Sequence, residues 1–245
     1  MPNSPNINAL RIGTAGWTIP RAVADSFPGD GTHLQRYARS VNCAEINASF
    51  YRPMRPSTLQ KWADSVPAHF KFAVKIPKAI SHEAKLICEP AVIEKFLTEV
   101  RVLANKLGPL LVQLPPKFEF AQKQAHVFFK IMRSLYDGAL VIEPRNASWF
   151  TSEADALMKE FHVARVAADP ARVPQASICG GWNGLRYWRL HGSPRMYYSA
   201  YSRDYLQALA SEINGKKTQT WCIFDNTASG AALSDAMQLK ELTKT

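Results

Sequence analysis

Cys43–Tyr51 reads CAEINASFY. Counted in twos, Glu45, Asn47 and Ser49 fall on one side and Ala44, Ile46 and Ala48 on the other. That is the period of a short strand with one polar and one apolar face. An aromatic and basic turn, Phe50-Tyr51-Arg52-Pro53, follows at once. A carboxylate on a buried strand is costly unless it has a partner or a task. Several later stretches share the plan: an apolar run whose last inward positions are charged.

On either side of this stretch the pattern alternates between strands and helices. LRIGTAG at 10–16 reads as a first strand, its glycines suited to a crowded interior or a close ligand. A helix over about 34–41 follows it, with Leu34, Tyr37, Ala38 and Val41 on one face. Beyond the opening stretch, Ser57 is the expected N-cap of a helix through Leu59, Trp62, Ala63 and Val66. FKFAVKIP at 70–77 is the third strand, and a helix over about 90–107 places Val92, Phe96, Val100 and Leu103 inward. LLVQLP at 110–115 is the fourth strand, stopped by Pro115 and Pro116, one of whose bonds is a candidate for the cis form. A helix over about 122–135 and the fifth strand, ALVIEPR at 139–145, come next. A helix at 152–161 leads to the sixth strand, VARVAAD at 163–169.

Residues 170–184 then carry three glycines and two prolines without helical spacing, which predicts an irregular loop. LRYWRLHG at 185–192 is the seventh strand, and a helix with Tyr205, Leu206, Leu209 and Ile213 inward follows. TWCIFDNT at 220–227 is the eighth strand, before a final helix from about Ala228. Eight strands alternating with helices in 245 residues fit an α/β protein of the TIM-type (β/α)8 barrel class. The reading is a single domain over 1–245, with the helix after the sixth strand shortened or replaced by a loop. An open doubly wound sheet is the alternative. Gly13 and Gly16 lack the G-x-G-x-x-G spacing such a sheet uses for dinucleotides.

Apolar residues make up 47% of the chain, enough for a large core, and no apolar run reaches the roughly 18 residues of a membrane span. The N-terminal MPNSPNINAL has neither the basic region nor the apolar centre of a secretion signal, so a soluble cytoplasmic protein is expected. Cys43, Cys88, Cys179 and Cys222 form no C-x-x-C pair, which argues against structural zinc; Cys43 and Cys222 read as core residues. The net charge of +10 favours an anionic partner, but the basic residues are scattered and no polybasic tail is present.

The loops after the strands build the active site of a TIM barrel, so polar residues at strand ends converge in space. Here they are Trp17, Asn47, Tyr51, Lys75, Gln113, Glu143, Arg145, Asp169, Arg189, His191, Asp225 and Asn226. Glu45 and Glu143 are candidate acid/base carboxylates; a structural network with Lys75, Arg145 and Arg189 is the plainer alternative. Histidine is the residue type suited to proton transfer near neutrality, which makes His191 a candidate, and a structural histidine competes with that reading. His82 reads as a surface residue near the same face. Glu45, Glu143, Asp169, His191 and Asp225 could in principle ligate a divalent ion. The interleaved Lys75, Arg145 and Arg189 oppose it, so neither metal nor cofactor is expected.

An anion fits better, held by Arg145, Arg189 or Arg195 and by the turn of Asn226, Thr227, Ser229 and Gly230 into the last helix. The aromatics Trp17, Phe50, Tyr51, Tyr197, Tyr198 and Tyr201 could wall a pocket or serve plain packing. No G-x-S-x-G or P-loop occurs, so a serine hydrolase or phosphate-loop enzyme is not indicated.

IGTAGW at 12–17, EINASFY at 45–51, FAVKIP at 72–77 and LLVQLPP at 110–116 resemble the DUF72 family, also called YecE-like proteins. IEPRNASW at 142–149, RLHG at 189–192 and FDNT at 224–227 continue the resemblance in order along nearly the whole chain. It implies a TIM barrel with the strand-end residues in one site, and carries no assigned activity. Pro144 and Asp225 depart from the family's usual phenylalanine and asparagine at those places.

The functional expectation is a metal-independent enzyme, hydrolase or lyase in type, acting on a small anionic, phosphorylated or sugar-like substrate. His191 and Glu143 would move protons, with Glu45 as a further carboxylate. Lys75 would stabilise negative charge or form a Schiff base if burial lowers its pKa. Trp17, Asn47, Tyr51, Gln113, Arg145, Asp169, Arg189, Asp225 and Asn226 would line the substrate. The alternatives are a nucleic-acid-binding protein without catalysis, its binding steeply salt-dependent, and a small-ligand sensor. No membrane partner is expected, and the sequence leaves the oligomeric state open.

Overall fold

Side chains alternate across a strand, so residues two apart share the inside of a barrel. The computed structural model describes residues 10–214 and 217–243. Its first half runs β1 (Leu10–Ala15), α1 (His33–Ser40), β2 (Cys43–Ile46), α2 (Ala48–Tyr51), α3 (Pro56–Asp64), β3 (Lys71–Lys75), α4 (Pro90–Arg101), β4 (Leu107–Gln113) and α5 (Gln122–Leu135). The second half runs β5 (Leu140–Glu143), α6 (Ser152–Glu160), β6 (Val163–Arg165), β7 (Ala167–Asp169), β8 (Gly180–Gly181), β9 (Leu185–Leu190), α7 (Arg203–Ile213), β10 (Gln219–Phe224) and α8 (Ala231–Leu242).

The sheet order is β7-β9-β10-β1-β2-β3-β4-β5-β6-β8. β6 and β7 are one expected strand in two pieces. β6 pairs with β5 and β7 with β9, both in parallel. Between them the Val166 N–H donates to the Ile142 carbonyl at 2.8 Å. A single extended segment thus changes neighbours and joins the two ends of the sheet into a TIM-type barrel. The helix expected to be short after this strand is replaced by a 3-10 turn at Pro174–Ser177 and the two residues of β8. β8 returns antiparallel to β6. Only glycine fits at Gly181, whose φ is +63° and where a Cβ would lie 2.6 Å from the Val163 carbonyl oxygen.

Inside the barrel, Cys43, Ala73, Leu111, Val141, Tyr187 and Ile223 belong to one buried apolar cluster. Gly13 is the small wall of that layer, since a Cβ there would sit 2.1 Å from the Cys43 carbonyl oxygen. Outside, the helices cover the sheet with a separate apolar core. On α5 the residues at helical spacing, Ala125, Phe128, Phe129 and Met132, are all buried. Burying each of the two phenylalanines contributes on the order of 2–3 kcal/mol. No helix among the described residues is long and apolar enough to cross a membrane. All four cysteines are free, Cys43 and Cys222 buried as expected.

Several expected boundaries move. The opening strand stops at Ile46, and Ala48–Tyr51 winds into a helical turn. Ser49 there donates its hydroxyl to the Ile46 and Lys75 carbonyls instead of alternating with Glu45. Arg55 is the N-cap of α3, because Pro56 takes the first helical position, where its missing N–H costs nothing. α4 buries Ile93, Phe96, Leu97 and Val100 and leaves Val92 exposed, which rotates the face expected from spacing. The last helix starts at Ala231, behind a left-handed Gly230. Among the described residues the cis bonds are Asp169-Pro170 and Ser193-Pro194, and neither bond at Pro115 or Pro116 is cis. The expectation for MPNSPNINAL falls on residues that, up to position 9, lie outside those described.

Candidate functional site

On six of the strands, one step of two residues carries the inner position from the apolar layer to a polar one. Cys43 leads to Glu45, Ala73 to Lys75, Leu111 to Gln113, Val141 to Glu143, Ile223 to Asp225, and Tyr187 to Arg189 and then His191. The charged layer is therefore a product of strand period and register, and it lies at the carboxyl ends of the strands. Gln113 and Glu143 are direct register partners.

Arg189 is at the centre, fully buried. Its Nη2 donates to Glu45 Oε1 at 2.6 Å and its Nε to Glu45 Oε2 at 3.1 Å. Nη1 reaches Glu143 Oε2 at 2.8 Å, and Nη2 also reaches Asp225 Oδ2 at 3.0 Å. The Tyr187 hydroxyl completes Glu45 at 2.9 Å, and the Gln113 amide donates to Glu143 at 2.9 Å. Burial alone would lower the Arg189 pKa, but the three carboxylates outweigh it and hold the group cationic. Burial would likewise raise Glu143; Arg145, Arg189 and His191 overcome it and hold the carboxyl well below its usual range. The same contest, won by Arg189 and His191, lowers Asp225.

His191 is held from both sides. Its Nδ1 lies 3.1 Å from Asp225 Oδ2 and its Nε2 2.8 Å from Glu143 Oε1. Arg145 approaches the same Nε2 at 3.0 Å through Nη2, while that nitrogen and Nε also bond Glu143. A doubly protonated ring donates to both carboxylates; the neutral Nδ1–H tautomer accepts from Arg145. Among the described residues Arg145 Nη1 has only Met196 Sδ, at 4.0 Å. The Tyr197 ring meets the imidazole edge-on at 5.8 Å.

Lys75 differs from the rest. It is 7% exposed, and among the described residues its ammonium has no ion pair or hydrogen bond. Nζ instead lies 3.9 Å from the centre of the Phe50 ring. Burial first, and Arg189 second, bring its pKa down to about 8 against the pull of Glu45, Glu143 and Asp225. His82 belongs to this rim and not to plain surface. It is half-buried and packs edge-on against Phe50 at 4.9 Å. Its pKa is lowered by burial, then by Lys75 and Arg145.

Four expected residues stand apart. Asp169 shares a register position with Leu190, which packs outside the barrel, so its carboxylate faces the Tyr201 hydroxyl at 2.9 Å. Asn226, one residue past inward Asp225, likewise turns outward, and its amide donates to Ser199 and Asp235. Trp17 follows Gly16, whose φ of +78° breaks the alternation, and it packs on Trp62 and Phe72. Tyr51 is 71% exposed on the far side of Phe50. Asn47 stays near the strand end as N-cap of α2, its Oδ1 buried without a hydrogen-bond partner among the described residues. In the turn expected to hold an anion, the Ser229 hydroxyl donates to the Tyr198 carbonyl. Tyr187 was the member that sequence reasoning left out, although it shares parity with Arg189 and His191.

Among the described residues, no three His, Cys, Asp or Glu side chains are placed to hold a metal ion. The cation among the three carboxylates is Arg189. A metal here would have to displace a guanidinium that already has four short contacts with them.

Comparison with known proteins agrees with the resemblance in the motifs. YecE of Escherichia coli is 34% identical over 109 residues, a match covering 44% of this chain and only 39% of YecE. YunF of Bacillus subtilis is 21% identical over 95% of this chain and 94% of its own. The crystal structure of a DUF72 family protein from Thermotoga maritima superposes with a TM-score of 0.81 at 22% identity, covering 96% of this chain and 99% of that one. The model of the family described as protein of unknown function DUF72 matches residues 11–245, and the chain belongs to that family.

Proposed function

We propose that this chain is a lyase-type enzyme whose Lys75 amine attacks the carbonyl carbon of a small anionic, sugar-like substrate. One observation carries the reading. A buried lysine with no counter-ion among the described residues and a pKa near 8 stands at the edge of a layer in which every other charge is paired. About a tenth of such an amine is neutral at pH 7, and only the neutral form has a lone pair to donate.

The C–N bond forms as the carbonyl π bond opens. The oxygen gains protons and leaves as water, giving an iminium on Nζ. That iminium draws in the electron pair of the substrate's Cα–Cβ bond as the β-hydroxyl loses its proton and the departing fragment leaves as an aldehyde. The enamine so formed takes a proton at Cα, and water then hydrolyses the imine to release the amine. No redox partner is needed. His191, oriented by Asp225 and Glu143, is the proton carrier. Glu143, held ionised by its arginines, is a weak base and serves to orient, as does Glu45. Arg145 Nη1 offers free donors to the anionic group.

The test is trapping. Incubation with glyoxylate and cyanoborohydride, followed by peptide mass spectrometry, is expected to place the adduct on Lys75 in preference to the surface lysines. Lys75→Arg should abolish it. Labelling spread evenly over exposed lysines would defeat the proposal.

A further inference from the structure

The Phe50 ring centre lies 3.9 Å from the Lys75 ammonium, and the Phe50 side chain also lines a groove of about 470 Å³ between α2, the turn after β3 and α4. That volume lies in the range of small-molecule sites, roughly 300–1,000 Å³. Tyr51, Val92 and Phe96 also line the groove, and Tyr51 meets Phe50 edge-on at 5.0 Å. An exposed tyrosine beside a half-exposed valine is an apolar surface left uncovered by the described residues.

The charges around it are unequal. Glu83 is paired with Lys78 at 3.0 Å, and Glu99 accepts the Met54 N–H at 3.1 Å. Arg52 and Lys95 have no side-chain ion pair or hydrogen bond among the described residues. The Glu99 carboxylate keeps its charge beside them, so the groove offers aromatic walls and a net positive charge of one from Arg52, Lys95 and Glu99, and it adjoins Lys75 through one shared ring.

We infer that the groove is a binding site for a flat, largely apolar ring system carrying a negative charge, the non-reacting half of a substrate whose carbonyl end reaches Lys75. This rests on the Schiff-base reading above and extends it from a small anion to a two-part molecule. Aromatic faces favour a planar ring, and Arg52 and Lys95 favour its carboxylate or phosphate.

The probe is 2-naphthoate, titrated by calorimetry into the wild-type protein and three variants. Tyr51→Ala should weaken binding at least tenfold, and Arg52→Gln with Lys95→Gln severalfold. Lys75→Ala should change it less than twofold. Tyr51 is mostly exposed, so its truncation leaves the fold intact. No binding at millimolar probe, or undiminished binding in Tyr51→Ala, overturns the groove. In parallel, 6-formyl-2-naphthoate and glyoxylate are trapped with cyanoborohydride. The ring aldehyde should label Lys75 at a tenfold lower concentration, an advantage lost in Tyr51→Ala. Naphthoate binding with no labelling by either aldehyde defeats the Lys75 reading and leaves the groove standing; equal labelling in both proteins does the reverse. A sedimentation mass that halves on Tyr51→Ala identifies the occupant as a second copy of the chain and overturns the inference.

Discussion

Arg189 clasps Glu45 at two points, Nη2 to Oε1 at 2.6 Å and Nε to Oε2 at 3.1 Å, with both side chains wholly buried. The residues are 144 apart in sequence, and the clasp ties β9 to β2 across the barrel. Desolvating an arginine and three carboxylates is expensive, and their mutual attraction offsets that only while the set is complete.

Arg189→Met should therefore destabilise the fold by about 3–5 kcal/mol, because Glu45, Glu143 and Asp225 lose their shared partner. Arg189→Lys should recover less than half, since a point charge cannot make the fork. Glu45→Gln added to Arg189→Met should restore part of the loss. Urea unfolding of the four proteins reads this directly. A loss under about 1 kcal/mol would mean that water reaches the cluster.

Lys75 has the opposite sign. Its pKa falls from 10.5 to about 8 on folding, so the charged form is disfavoured in the native state. The cost is full below pH 8 and is relieved as pH rises toward 10.5. At 1.36 kcal/mol per unit it amounts to about 3 kcal/mol. Lys75→Met should raise the melting temperature at pH 7 and lose that advantage near pH 10.5. Melting curves from pH 6 to pH 10.5 check it; a constant difference across that range would contradict the shifted lysine.

Acid should act through Glu143 and Asp225. Both are held below their ordinary values in the folded chain, so the unfolded chain takes up protons first. Their stabilisation is whole above the usual carboxylate range and drains away as pH falls below about 4. Asp225→Asn should flatten the fall of melting temperature between pH 5 and pH 3. Parallel curves for mutant and wild type would show that Asp225 is not held ionised by folding.

Gly13→Ala tests the crowding inside the barrel. The added Cβ meets the Cys43 carbonyl oxygen at 2.1 Å, and that oxygen also accepts from the Tyr37 hydroxyl at 2.9 Å. A main-chain atom in the sheet cannot step aside. A loss of about 1–3 kcal/mol is expected in chemical denaturation. A neutral result would imply that β1 and β2 can separate without cost.

Strand period made much of the site readable. Glu45, Lys75, Gln113, Glu143, Arg189, His191 and Asp225 all follow an apolar inner residue by two or four positions, and the structure collects them in one layer. The same count, carried one residue further, would have sent Asp169 and Asn226 outward, because Leu190 and Phe224 beside them belong to the outer core. Tyr187 was legible by parity. Its tie to Glu45 was not, since nothing local in sequence relates residues 142 apart.

The sequence by itself determined the class of fold, the order of its elements and the charged ends of its strands. Those features rest on local rules: periods of 2 and 3.6, glycine and proline at turns, and carboxylates where apolar runs stop. Tertiary structure alone decided that β6 and β7 share one segment that changes neighbours, that Trp17 turns away from the mouth, and that Lys75, beside the paired charges of the barrel mouth, has no counter-ion among the described residues. Each depends on which distant groups come within a few ångströms. A lysine's pKa is set by its burial and by the charges around it, and only the closed barrel brings Arg189 close to Lys75.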